Sequence, residues 1–152
     1  MDHRYLLIDF DGVFHPEDQH FAVEDIKVPP AILRAAGMFV HVDLLAKLLT
    51  PHPDVRLVVH SSWRKTHGDT ELRELLGPLG GRFIGATDRA LDRQLSIFDF
   101  VVRRRIDSHR YRVLDDQVEM LQELGDVVIP CDPISGIAAP STLLQLKTWL
   151  DD

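Results

Sequence analysis

Two aspartates, Asp9 and Asp11, end an apolar run and stand two residues apart, with Gly12 directly after them. On an extended chain, residues i and i+2 point to one side, so both carboxylates can face the same space. Two acids that close repel unless a cation lies between or beside them. Gly12 permits a backbone turn that a residue with a Cβ would resist. Such a pair can serve as a nucleophile, as a proton donor and acceptor, or as ligands of a hard cation. Taken alone, it also describes a strand that ends in a solvated acidic turn. Further residues in fitting order weigh against that plainer reading. Ser61 follows the apolar residues 55–59, and Asp115-Asp116 follow residues 111–114.

The elements that must position these groups alternate along the chain. Residues 5–8, 55–59, 82–86, 111–114 and 127–130 read as short strands. Helical spacing of apolar residues marks 42–49, 70–79 (broken at Gly77-Pro78), 93–104 and 140–150, with shorter helices at 30–36 and 120–124. Residues 14–30 are polar and interrupted by prolines, as in a loop or small hairpin leaving the first strand. Strands separated by helices imply a mainly parallel sheet covered on both faces. Reactive groups in such sheets gather beyond the carboxyl ends of the strands, where Asp9, Asp11, Ser61, Asp115 and Asp116 all fall.

A length of 152 residues suits one domain with a continuous core, expected to span 1–152. A net charge of −7 disfavours broad, non-specific nucleic-acid binding. The single cysteine, Cys131, cannot form an intrachain disulfide and is expected to be a buried small hydrophobe. No apolar run approaches a membrane span and no signal-peptide pattern opens the chain, so a cytoplasmic protein is expected. Seven arginines face three acids between residues 89 and 112, and one solvated helix face is the expected explanation. His15, His20, His60 and His67 show no zinc spacing and read as loop or rim residues, His60 with a supporting role.

Asp9-Phe10-Asp11-Gly12-Val13, Ser61 after a strand, a basic residue opening a helix, and Asp115-Asp116 after another strand together resemble the four motifs of the haloacid dehalogenase (HAD) superfamily. His60-Ser61-Ser62-Trp63-Arg64 with Val113-Leu114-Asp115-Asp116 is similar to the small HAD domains of Swiss-army-knife RNA repair proteins. The resemblance implies a three-layer Rossmann-like fold, with five strands in the order 5-4-1-2-3. Residues 14–39 would form a flap or minimal cap. It implies a magnesium-dependent phosphomonoesterase: Asp9 as nucleophile, Asp11 as acid and base, Ser61 and Arg93 on the phosphoryl oxygens. Magnesium would bind Asp9, Asp11 (through its backbone carbonyl), Asp115 and Asp116. Arg89 competes with Arg93 for the third motif, where most of the superfamily carries lysine.

Ser62, Trp63 and Arg64 are candidate substrate-binding residues. Trp63 could stack on a base and Arg64 grip a phosphate, with core packing and a structural ion pair as the equally weighted alternative. The interval 14–39 leaves no room for a full cap. An open site would have Trp63, Arg64, His15 and His20 on its rim, and nucleic-acid ends or nucleotides would be its phosphorylated substrates. A receiver domain would order its acids and hydroxyl differently along the strands. A non-catalytic HAD-like binding or scaffolding domain in nucleic-acid repair is the remaining alternative.

Overall fold

Strand β1 (Arg4–Ile8) buries Leu6, Leu7 and Ile8 completely. Successive strand residues point to opposite faces, so a strand with no exposed side chain at its centre must be covered on both sides. In the computed structural model, which describes residues 2–17 and 28–152, β1 is the middle strand of five. It pairs with β2 (Val55–Val59) and β4 (Tyr111–Asp115), and β3 (Phe83–Ala86) and β5 (Val128–Pro130) form the edges. The order is β3-β2-β1-β4-β5, the expected order, and every pairing is parallel.

Alternation along β1 divides the core in two. Leu6 and Ile8 join Leu57, Val59 and Leu114 in one cluster with α2 (Val42–Leu49), α3 (Asp69–Leu75) and α5 (Pro140–Leu150). Leu33 of α1 (Pro30–Ala35) joins the same cluster. Leu7, Val58 and Val113 face the other way, against Ile97 and Val101 of α4 (Arg93–Arg103). Three layers result, as the three-layer reading required. No helix among the described residues is long and apolar enough to cross a membrane.

Two expected helices are altered. The first ends at Leu75, and a 3-10 segment, Gly77–Arg82, leads into β3. The one expected at 120–124 is two 3-10 turns, Val118–Met120 and Gln122–Val127. Gly125 is left-handed there (φ 69°), which breaks helical propagation just before β5. The arginine-rich stretch is not one helix face. Arg89 pairs with Asp69, Arg103 with Asp99, and Arg110 and Arg112 hydrogen-bond to backbone carbonyls. Residues 18–27 of the expected 14–39 flap, including His20, lie outside the described residues.

Candidate active site

The chain leaves β1 at Asp9, whose N–H donates to the Leu114 carbonyl (3.1 Å), so the nucleophile candidate is still pinned to the sheet. Phe10 N–H donates to Asp9 Oδ1 (2.8 Å), which turns that carboxylate back along its own backbone. The amides of Val13 and Phe14 then donate to the Phe10 carbonyl, closing a tight turn. Gly12 sits in that turn at φ +76°, and a Cβ there would collide with the Asp116 carboxyl group. Glycine is therefore required twice over, for the conformation and for the space.

Asp9, Asp115 and Asp116 each offer an oxygen within 4.8 Å of the others, at the ends of β1 and β4. Arg93 enters the same space from the first turn of α4, which Asp92 caps by accepting the Leu95 N–H (2.9 Å). One guanidinium nitrogen, Nη1, lies 3.0 Å from both Asp115 oxygens, 3.3 Å from Gln117 Oε1 and 3.4 Å from Asp9 Oδ2. Arg89 points elsewhere, to the Arg64 and His67 carbonyls and Asp69. Asp115 also accepts from His60 Nε2 (2.8 Å) and from the Gln117 N–H (2.9 Å), so both its oxygens are engaged.

These neighbours separate the three acids electrostatically. Burial and then the charge of Asp115 push Asp9 well above the usual carboxylate range. Burial acts on Asp115 in the same direction, but the His60 hydrogen bond and the charges of His60 and Arg93 outweigh it and hold Asp115 below its ordinary value. Asp116 is pushed up to about 7, by burial first and then by Asp115. Its Oδ2 is buried without a hydrogen-bond partner. The guanidinium thus reaches only two of the three carboxylates, and the partnerless oxygen belongs to the third, which is costly to ionise. An all-oxygen set short of positive charge fits a hard divalent cation such as magnesium.

Asp11 does not join that cluster through its carboxylate. Its Oδ1 accepts from His15 Nε2 (2.6 Å) and its Oδ2 from the indole N–H of Trp63 (3.1 Å). Ser61 follows β2 and is fully buried, its Oγ accepting the Trp63 N–H (3.3 Å) at the start of the 3-10 turn Ser62–Lys65. Ser62 is half-buried in the same turn.

Several rim assignments are corrected. Trp63 and Arg64 are 0% and 1% exposed, because the 3-10 turn folds both inward. Trp63 packs among Phe10, Phe39 and His67. Arg64 donates to the carbonyls of His60, Ser61 and Leu91, tying the end of β2 to the approach to α4, and makes no ion pair among the described residues. His15, His60 and His67 are buried as well, each ring held from at least one nitrogen. His60 has the supporting position expected of it, on Asp115. Cys131 is buried beneath the acids, and burial, then Asp115, raise its thiol far above its usual range.

Sequence reasoning missed the contacts of His15 and Trp63 with Asp11. A histidine four residues after the second aspartate was the available signal for the first; nothing local announces the second. No curated protein and no solved structure matches the chain. A family model does match, over residues 5–142, and that span takes in the β1 turn, Ser61, Arg93 and the Asp115-Asp116 pair. The chain belongs to the family of HAD domains in Swiss Army Knife RNA repair proteins.

Proposed function

We propose that this domain is a magnesium-dependent phosphomonoesterase that works through an aspartyl-phosphate on Asp9. The observation that carries the reading is the carboxylate cluster at the ends of β1 and β4, incompletely neutralised and touched by Arg93. Magnesium held by Asp9, Asp115 and Asp116 would supply the charge that lets an anionic phosphate approach a carboxylate.

The chain's own residues do the rest. Asp9 attacks phosphorus through one carboxylate oxygen, the other being steadied by the Phe10 N–H. As the P–O bond breaks, its electron pair stays on the leaving oxygen and Asp11 delivers a proton there. Asp11 then takes a proton from the water that attacks the aspartyl-phosphate, and Asp9 is regenerated. Arg93, which now holds Asp115 through Nη1, would shift to a phosphoryl oxygen. Ser61 would need its Oγ, now facing the Trp63 amide, to donate to another phosphoryl oxygen.

Membership in a family of RNA-repair domains supports phosphorylated nucleic-acid ends or nucleotides as substrates. The test is turnover of an aryl phosphate with and without magnesium, followed by kcat/KM for oligonucleotide 3′- and 5′-phosphates, mononucleotides and sugar phosphates. Asp9→Asn should abolish turnover with the fold intact. Undiminished turnover in that variant would sink the mechanism, and a clear preference for sugar phosphates would sink the substrate class. Magnesium binding without turnover on any substrate would favour a binding domain.

A further inference from the structure

Asp11, His15, Phe39 and Trp63 are joined by hydrogen bonds whose directions are fixed by chemistry. The Phe39 backbone N–H can only donate, and it lies 3.2 Å from His15 Nδ1. Nδ1 is therefore the lone-pair nitrogen of that ring, and Nε2 carries the hydrogen donated to Asp11 Oδ1 at 2.6 Å. The indole of Trp63 has a donor and no acceptor, and it serves Asp11 Oδ2 at 3.1 Å. All four residues are at most 9% exposed.

The backbone reinforces this arrangement. Phe39 adopts φ +58°, a backbone conformation that bulky residues rarely adopt. That conformation follows the left-handed Gly37 and presents the Phe39 amide to His15. The segment is tied down again where the His41 N–H donates to the Phe14 carbonyl (3.0 Å). The Trp63 and Phe39 rings meet edge to face at 5.4 Å, so both donors stand in one packed aromatic cluster.

We infer that His15 and Trp63 are positioning residues that clasp the Asp11 carboxylate, one donor to each oxygen, and so aim its remaining lone pairs at the leaving group. The inference rests on the phosphomonoesterase reading and deepens it. A carboxylate has about four lone-pair sites, and the clasp occupies two, leaving one on each oxygen for the travelling proton. His15 cannot pass that proton on, because its second nitrogen faces the Phe39 N–H. The proton therefore moves only between Asp11, the leaving oxygen and water.

Two measurements test this. The first follows hydrogen exchange of the Trp63 indole N–H by NMR, which needs no turnover. Exchange should be slow in the wild type and in Asp9→Asn, and fast in Asp11→Ala. Fast exchange in the wild type would overturn the clasp. The second compares an alkyl phosphate, whose leaving group needs a proton, with nitrophenyl phosphate, whose leaving group does not. Trp63→Phe and His15→Leu should each lower alkyl turnover about tenfold or more relative to aryl turnover, a fraction of the roughly 10²–10⁴-fold that a general acid contributes. His15→Gln, which can still donate to Asp11 and accept from Phe39, should recover most of it. In an Asp11→Asn background the same changes should add no further discrimination.

Equal losses on both substrates, or full additivity with Asp11→Asn, would overturn the positioning role while leaving the phosphatase reading intact. Should Trp63→Phe fail to fold, the His15→Leu and His15→Gln pair decides the question. No wild-type turnover on either substrate would overturn the phosphatase reading and this inference with it.

Discussion

His15 with Asp11 and His60 with Asp115 are alike at one end and unlike at the other. In both pairs a fully buried imidazole meets an aspartate oxygen through Nε2, at 2.6 Å and 2.8 Å. The Nδ1 of His15 is occupied by the Phe39 amide, whereas the Nδ1 of His60 is buried without a partner. The aspartates differ too. Asp11 meets a ring nitrogen and an indole, while Asp115 also meets a guanidinium and a backbone amide. Burial dominates His60 and lowers its pKa despite Asp115 beside it. On the proposed reading, one residue pair serves two ends: it would orient a proton carrier in the first case and settle an anion beside a cation site in the second.

The contrast breaks most sharply at Arg93, which touches only the Asp115 side. Arg93→Ala should reduce turnover about 10²–10³-fold, the effect of losing one preorganised charge donor. The slow exchange of the Trp63 indole should survive it. Arg89→Ala, at an exposed pair with Asp69, should leave turnover within about twofold. The reverse ranking would move the third motif to Arg89.

Next in size is the effect of each histidine on magnesium. His60→Leu leaves Asp115 without one of its donors and should weaken magnesium affinity about 10–100-fold, as loss of a group supporting a metal ligand does. His15→Leu should leave that affinity unchanged. Affinity can be read from the magnesium-dependent rise in melting temperature. Equal weakening by both variants would erase the distinction drawn above.

The smallest effect expected is a pH slope confined to the Asp115 side. Asp116 titrates at about 7 in the folded protein, against about 3.9 for an unfolded aspartate. The folded state therefore binds the extra proton between those values. The stability this contributes is complete below about pH 4 and is lost as pH rises through about 7. Metal-free protein should lose stability over that window; Asp116→Asn should remove part of the loss, the raised Asp9 keeping the rest, and saturating magnesium should flatten it. A slope that both leave unchanged would assign the titration to other groups. Chemical unfolding at several pH values, with and without chelator, measures it.

The acidic residues were legible because each ends a strand, so that pattern, position and chemistry coincide within a few residues. Arg93 was legible as the basic residue opening a helix. Trp63 was legible only as one of two equal readings, core packing, and Arg64 was not, since both follow Ser61 in a polar-looking segment whose inward fold depends on a short 3-10 turn. The contact of Trp63 with Asp11 spans 52 residues and leaves no local trace. The Phe39 contribution is a backbone amide, to which side-chain identity gives no clue. The two 3-10 turns before β5 were misread because Met120, Leu121 and Leu124 have helical spacing, while Gly125 decides the backbone.

All four motifs lie between residues 9 and 116, yet the turn that follows Asp9 is held from beyond them. The Ile137 N–H donates to the Val13 carbonyl (3.1 Å), and the Glu17 N–H donates to the Pro133 carbonyl (2.8 Å). Gly136, left-handed at φ +59°, lies so close to that Val13 carbonyl that a Cβ would overlap it. During synthesis the chain therefore carries every reactive group before it carries the brace that sets their geometry. A fragment ending after β4 would keep the whole motif inventory and lack a shaped site. Ribosome-bound chains should acquire phosphate chemistry only once the segment around residue 137 has emerged.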